Sequence, residues 1–212
     1  MSHDHDHDHD HGHSHEHDHG HSHEHDHGHS HEHGAGAADI SSDAVRRSDL
    51  PPGAGRGKIL YLDAPSGLAG DMIVAALVDL GVPPSAIEHA LADLGLTGFH
   101  VHFGHRERHA IVGTSFEVHV DADPPHRDWR TIRELLEGSR LEPTAKGYAL
   151  ATFRRLAAAE AKVHRTSIDE VHFHEVGAVD AIVDIVASSA ALAYLGATVV
   201  VSPLPVGRGF VR

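Results

Sequence analysis

Cysteine is absent from the 212 residues of this chain. Its absence excludes a disulfide framework, a thiolate nucleophile, an iron–sulfur cluster and a zinc site built on thiolates. Any metal ion must therefore bind to histidine and carboxylate side chains. The sequence also lacks an apolar run of the ~20 residues that span a bilayer, and its polar N-terminus lacks the apolar stretch of a secretory signal. We therefore expect a cytoplasmic protein with no membrane partner.

The N-terminal part of the chain is rich in acidic residues and has no basic ones. Residues 1–33 contain no Lys or Arg, and the whole chain carries a formal net charge of -14. Nucleic-acid binding requires a clustered basic face that displaces counterions from phosphates. The sequence has no such cluster, and we therefore expect no nucleic-acid partner.

Histidine is abundant, and sixteen of the 26 histidines occupy every odd position from 3 to 33. Residues 1–34 have no apolar side chain after Met1 to offset the entropy cost of ordering, so we predict a disordered tail. Imidazoles bind borderline divalent ions such as nickel, zinc and copper. The histidines alternate with Asp, Glu, Ser and Gly, unlike an uninterrupted purification tag, and we interpret the tail as a native metal-storage segment. Its candidate ligands are His3, His5, His7, His9, His11, His13, His15, His17, His19, His21, His23, His25, His27, His29, His31 and His33.

Composition divides the chain into three parts. After the tail, residues 35–57 are rich in Ala, Gly, Ser and Asp and are predicted to be a linker, and residues 58–212 have the size of one domain. Short apolar runs in this domain alternate with helical patterns that end at glycine. Alternating apolar and polar residues over 99–106 and 111–120 predict an antiparallel hairpin. The order of elements indicates an α/β or α+β fold, a mixed β-sheet with flanking helices.

A glycine-containing turn joins the first predicted strand to the first predicted helix. It runs from Asp63 to Asp71 and includes Ser66, Gly67 and Gly70. Backbone amides in such a turn and the helix N-terminus can face an anion, so a phosphate could bind there with the serine as a donor. The turn has neither the P-loop nor the dinucleotide pattern. A plain tight turn with an aspartate near the helix start explains the spacing equally well.

A second candidate site lies in residues 171–184. If residues 171–175 are extended, His172 and His174 point to one side, while Asp180 and Asp184 share one face of a helix. Two imidazoles with nearby carboxylates are typical of a metal site with nitrogen and oxygen ligands. The alternative is that the histidines form hydrogen bonds at a strand end and the aspartates cap or solvate the helix.

Four further histidines belong to the predicted hairpin, where the position of the turn is not fixed by the pattern. We interpret them as part of a solvated face rather than as a site. They are His100, His102, His105 and His109.

The segment from Tyr61 to Met72 resembles the N-terminal signature of the nickel-insertion proteins that mature the nickel-pincer nucleotide cofactor of lactate racemase. The resemblance continues in residues 171–185 and 202–209, in the order found in that family, and covers essentially all of residues 58–212. The chain departs from the family at two places. Ala64-Pro65 replaces the Cys or Phe that many relatives carry before Ser-Gly, and Arg208 stands where glycine is usual.

The resemblance implies an enzyme, a nickel-inserting lyase or cyclometallase. Such an enzyme uses CTP and a divalent cation, Mg²⁺ or Mn²⁺, to insert nickel into pyridinium bisthiocarboxylate mononucleotide and form a carbon–nickel bond. The CTP-binding unit is expected in a C-terminal region of the family that follows the motifs named above. The expected partners are therefore the mononucleotide substrate and that C-terminal half, or a second copy of this chain.

The resemblance also assigns residues to these tasks. The substrate's phosphate is expected at Ser66, Gly67, Gly70 and Asp71. Nickel is expected to bind transiently to His172, His174 and Glu175, with Asp180 and Asp184 as carboxylate neighbours. The alternative to an enzyme component is a nickel- or zinc-storage protein or metallochaperone whose function depends on the tail.

Overall fold

The computed structural model describes residues 48–121, 127–173 and 176–205. In these ranges the chain forms β1 (Ile59–Leu62), α1 (Gly70–Leu80), α2 (Pro84–Leu94), β2 (Phe99–Arg108), β3 (Ile111–Val120), α3 (Trp129–Gly138), α4 (Pro143–His164), α5 (Val179–Leu195) and β4 (Thr198–Val201). A short 3-10 helix, Ile168–Glu170, lies between α4 and α5. None of the helices in these ranges is long and apolar enough to cross a bilayer. The predicted tail lies outside the described residues, as do His174, Glu175 and Arg208.

The strands of the described ranges form two separate sheets of two strands each. β1 and β4 pair in parallel along their whole length. β2 and β3 pair antiparallel over ten residues each, as the alternation predicted. The α/β fold class is thus confirmed. The parallel and antiparallel pairings, which the sequence analysis placed in one mixed sheet, occur in two sheets.

Helix α5 forms the centre of the core. Val, Ile, Leu and Ala cover most of its circumference, and a helix with that composition is stable when it is buried on all sides. It packs against α1, α2, α4 and β3. Gly196 ends the helix with a φ of 70°, and its N–H donates to the carbonyl oxygen of Leu192 at 3.0 Å. The fully buried side chains of this core include Val74, Leu77, Ile87, Ile132, Leu136, Phe153, Ile182 and Val186.

The packed part of the chain begins before Lys58. The N–H of Leu50 donates to the carbonyl oxygen of Gly81 at 2.8 Å, and the hydroxyl of Tyr194 donates to the carbonyl oxygen of Leu50 at 2.9 Å. The N–H of Gly53 donates in turn to the carbonyl oxygen of Tyr194 at 2.7 Å. These bonds attach residues 50–53 to the ends of α1 and α5, so this stretch of the predicted linker belongs to the folded part.

Candidate functional site

The predicted glycine turn lies at the carboxyl end of the parallel strands. β1 runs into residues 63–69, and β4 runs into residues 202–205. The N–H of Ala64 donates to Oγ of Ser202 at 2.8 Å, and the N–H of Ser202 donates to the carbonyl oxygen of Leu62 at 2.9 Å. Two loops that are distant in sequence are thereby joined. They meet at the edge of the sheet where ligands bind in open α/β folds.

The turn is open beside its predicted phosphate-binding residues. Gly67 has a φ of 91°, and its N–H donates to the carbonyl oxygen of Ala64 at 3.2 Å. A Cβ added at Gly67 would meet no atom within 4 Å. The left-handed backbone conformation therefore favours glycine at this position, whereas a larger side chain would have enough space. Ser66, the preceding residue, is exposed, so both residues face free volume.

Gly70, the first residue of α1, lies directly against α5. A Cβ added at Gly70 would lie 2.6 Å from Cβ of Asp184 and 2.8 Å from its Oδ2. The hydroxyl of Ser188, one turn further along α5, donates to the carbonyl oxygen of Gly70 at 3.4 Å. Close approach of the two helices thus depends on glycine at this position. It brings the first and second candidate motifs together, which their spacing in the sequence did not indicate.

The negative charges of two further aspartates act on Asp184 where α1 approaches α5. We call this place the α1–α5 junction, and its carboxylates are Asp71, Asp180 and Asp184. Burial, and then the negative charges of Asp71 and Asp180, raise the pKa of the half-buried Asp184 to about 6. A hydrogen bond from the backbone N–H of Asp71 acts in the opposite direction. Carboxylates held together in this way favour the binding of a proton or a cation.

Two of these aspartates also stabilise helix starts. Oδ1 of Asp71 accepts the N–H of Met72, and Oδ1 of Asp180 accepts the N–H of Ala181, each at 2.8 Å. Neither helix has a side-chain N-cap, because alanine precedes each one. A carboxylate in the first turn interacts favourably with the helix dipole. Asp71 and Asp180 therefore stabilise the helix starts and also act on the pKa of Asp184.

His172 lies beside the start of α3. It is exposed between buried Val171 and Phe173, the alternation that an extended segment predicts. Its backbone forms an isolated antiparallel bridge with Asp128, the N-cap of α3. The pKa of Asp128 is held below its usual value, first by hydrogen bonds from Thr131 and to a smaller extent by the charge of His172.

The described residues bring together some of the predicted ligands and not others. Asp180 and Asp184 adjoin Asp71 at the α1–α5 junction. His174 and Glu175 lie outside the described ranges. Within those ranges, no three His, Asp or Glu side chains are arranged to hold one metal ion.

Arg127 is a candidate that the sequence analysis missed. Its backbone N–H donates to the carbonyl oxygen of Gly177 at 3.2 Å, and a Cβ on Gly177 would collide with the carbonyl oxygen of Arg127. Nη1 of Arg127 is buried and has no hydrogen-bond partner among the described residues. A buried N–H group of this kind is a candidate contact for an anion. No periodic pattern around residue 127 signals it, because the contact forms only through tertiary structure.

The hairpin histidines form a separate, exposed group. The rings of His100 and His119 stack across the two strands with their centroids 4.9 Å apart. Nδ1 of His100 lies 3.2 Å from Oδ1 of Asp121, and Nε2 of His119 lies 3.7 Å from Oε2 of Glu117. These contacts agree with the interpretation of a solvated face.

Comparison with known proteins supplies the family. A family model described as nickel insertion protein matches residues 60–212. The chain belongs to the nickel insertion protein family. The resemblance drawn from residues 61–72, 171–185 and 202–209 is thereby confirmed at the level of the family.

Three relatives show how much of a family member this chain represents. A Geobacter sp. strain M21 protein named "Putative nickel insertion protein" is 48% identical over 157 residues, which are 73% of this chain and 41% of the relative. Proteins with the same name from Myxococcus xanthus and Thermomicrobium roseum are 48% and 46% identical over 159 and 157 residues. These are again 73% of this chain, and 41% and 39% of the relatives. The chain thus spans about two fifths of the length of the curated relatives it matches. No solved structure matches it.

Proposed function

We propose that this chain is the nickel-supplying N-terminal part of a cytoplasmic nickel-inserting lyase, which inserts nickel into pyridinium bisthiocarboxylate mononucleotide to make the nickel-pincer nucleotide cofactor. Membership of the nickel insertion family supports the use of nickel. The observation that supports a common site best is the contact of Gly70 with Asp184, because it joins the two motifs to which the resemblance assigns phosphate and metal. We further propose that residues 1–34 store metal, that a linker follows them, and that the α/β domain carries the site.

Electrostatics limits what the α1–α5 junction can bind. Its three carboxylates repel a bare phosphate, whereas the exposed Ser66 and the N-terminus of α1 attract one. A nickel ion beside Asp180 and Asp184 removes that repulsion. We therefore assign the substrate phosphate to Ser66, Gly67 and Gly70, with Asp71 between the phosphate and the ion.

His172, His174 and Glu175 are proposed as transient nickel ligands. Nickel is the substrate ion of this reaction, and it has to leave the protein for two sulfurs and a ring carbon of the product. Imidazole nitrogen suits nickel, and an open set of ligands releases an ion more readily than a closed tetrahedral site. The exposed position of His172 suits such a transfer.

CTP and its Mg²⁺ or Mn²⁺ ion are assigned to the region of the longer family members that this chain does not match. The proposed partners of this chain are accordingly the mononucleotide and that C-terminal region, with a second copy of the chain as the alternative.

A reconstituted reaction tests the proposal. The full chain is combined with the unmatched region of the Geobacter sp. relative, nickel, CTP and the mononucleotide, and the product is measured by mass spectrometry. We expect His174→Ala and Asp184→Asn each to lower the product yield by at least about tenfold, with CTP hydrolysis preserved. His89→Ala is the matched control, because this exposed histidine lies outside both motifs and, among the described residues, its Nδ1 bonds to the backbone oxygen of Ser85 at 2.6 Å. Wild-type yield from the His174 variant would contradict the proposal.

The histidine tail favours a second candidate function, nickel or zinc storage without enzymatic activity. Its sixteen imidazoles must be deprotonated to bind metal, so its capacity should fall as the pH drops below about 6.5. Deleting residues 1–34 separates the two functions. Unchanged product formation at saturating nickel supports the enzyme proposal. A tailless chain that neither binds metal nor supports product formation supports storage.

A further inference from the structure

The parallel β1–β4 sheet is apolar and poorly covered on one side. Ile59 and Tyr61 of β1 are 70% and 58% exposed, and Val200, which lies opposite Tyr61 in register, is 42% exposed. Side chains alternate along a strand, so these three residues share one side, which we call the outer face. Leu60 points to the opposite side and packs against the core. The two other valines of β4, which share the side of Leu60, are 38% and 47% exposed, so the core covers the inner face at β1 only.

An open face of this kind is unusual for a parallel sheet. Parallel sheets are almost always covered on both faces, and their strands have continuous apolar sequences. The strand sequences Ile-Leu-Tyr-Leu and Thr-Val-Val-Val fit that description. Strands that remain at a sheet edge are normally protected by charged residues or proline, and neither strand contains any.

The sheet also has free edges. Each strand has one partner in the described part of the chain, so each presents one row of unpaired backbone groups. An isolated pair of strands is only marginally stable and is stabilised by a third strand or by packing against a helix. Apolar strands, an open face and free edges together indicate a sheet that is completed by additional polypeptide.

We propose that the outer face and a free edge of the β1–β4 sheet are the docking surface for the region of the longer family members that this chain does not match. That region adds a strand to the sheet and covers Ile59, Tyr61 and Val200 with an apolar helix face. The inference rests on the proposed function, in which the same region supplies the CTP chemistry. Both strands lie at the ends of the matched region, and the matched region is only 41% of the Geobacter sp. relative, so ample chain exists to cover them.

The size of the surface favours this occupant over a second copy of the chain. A stable interface between separate molecules buries about 800 Å² per partner, and two four-residue strands with five exposed apolar side chains offer little towards that area. A region linked to the same chain needs less area, because linkage raises its effective concentration to the millimolar range. Docking here also places the region over the turn at residues 63–69, next to the candidate site.

A fused chain tests the docking surface. The full chain is joined at its C-terminus to the unmatched region of the Geobacter sp. relative, and amide hydrogen exchange is measured without nickel or nucleotide. We expect exchange of β1 and β4 to be at least about tenfold slower in the fused chain than in the chain alone. Val200→Glu and Tyr61→Glu should each remove most of this slowing, since each buries a charge in an apolar contact. Val163→Glu, at a 75% exposed valine of α4, should leave it unchanged.

Three results would overturn the inference: no slowing of exchange in the fused chain, slowing that persists in both sheet variants, or a dimer of this chain through the same face in sedimentation velocity. Thermal melting of each variant controls for folding. If one variant melts early, the exchange comparison between the fused chain and the chain alone, both without substitutions, decides the outcome. Catalysis is measured separately, in the reconstituted reaction. Docking as expected together with no product in that reaction would contradict the proposed function and leave the docking surface intact.

Discussion

The β2–β3 hairpin and the α1–α5 junction both contain potential metal ligands, but these side chains differ in burial and in the charges beside them. On the hairpin, two stacked imidazoles are exposed and each lies beside one carboxylate. At the junction, the charges of Asp71 and Asp180 act on the half-buried Asp184, and no ion pair of the described residues joins these carboxylates to a cationic side chain. The hairpin carboxylates each lie beside an exposed imidazole, whereas the junction carboxylates repel one another.

This difference shows that the number of metal-binding side chains is a poor guide to a site. Burial and like charge together perturb a titratable group, and groups perturbed in this way concentrate at functional sites. Asp184 meets both conditions and contacts the first residue of α1. The junction is therefore the stronger candidate, although the hairpin has more histidines.

The largest expected effect comes from filling the space between α1 and α5. Gly70→Ala places a Cβ against Asp184 and should lower the free energy of unfolding by about 1–3 kcal/mol, the usual cost of overpacking. Gly147→Ala in α4 is the matched control, because a Cβ there meets no atom within 4 Å. Helix propensity should make the control more stable by up to about 1 kcal/mol. Urea denaturation that shows both variants to be stabilised would contradict the close helix contact.

A smaller effect depends on pH. Because the pKa of Asp184 is raised to about 6 in the folded protein, its contribution to stability is greatest below the unfolded pKa and is lost as the pH rises through about 6. Asp184→Asn should therefore become more stable than the wild type between about pH 4 and 6, reaching on the order of 1 kcal/mol after allowance for partial solvent exposure. Urea titrations at several pH values measure this difference. A difference that stays constant from about pH 4 to 8 would show that Asp184 is not perturbed.

The smallest effect is expected on the hairpin. Exposed ion pairs contribute little, so His100→Ala and His119→Gln should change the free energy of unfolding by no more than about 0.5 kcal/mol. Thermal melting at neutral pH measures the change. A loss comparable to that of Gly70→Ala would mean that the hairpin side chains are as tightly constrained as the junction, and the contrast between the two regions would disappear.

Local structure could be predicted from the sequence where neighbouring residues determine it. Gly81 and Gly95 end α1 and α2 in left-handed conformations, as the helical patterns that end at glycine predicted, and Gly196 ends α5 in the same way. The hairpin turn could not be placed in advance. His109 and Ala110 adopt φ values of 50° and 62°, which glycine and asparagine normally signal.

The assembly of the site could not be predicted from spacing, because it depends on tertiary packing. The motifs that contain Gly70 and Asp184 are widely separated in sequence, and only the packing of α1 on α5 brings them into contact. The parallel pairing of β1 with β4 depends in the same way on the chain between them. The family resemblance places both motifs in one function, but it does not predict that Gly70 contacts Asp184. The nickel-binding roles of His174 and Glu175 stay predictions.

Titration of the Asp184 side-chain carboxyl carbon by NMR tests most directly whether Asp71, Asp180 and Asp184 form one coupled site. We predict a midpoint near the raised pKa of about 6 in the wild type. We also predict a lower midpoint in Asp71→Asn, because that change removes one of the two repelling charges. A wild-type midpoint close to the ordinary aspartate value of about 3.9, or one that does not respond to Asp71→Asn, would contradict the account.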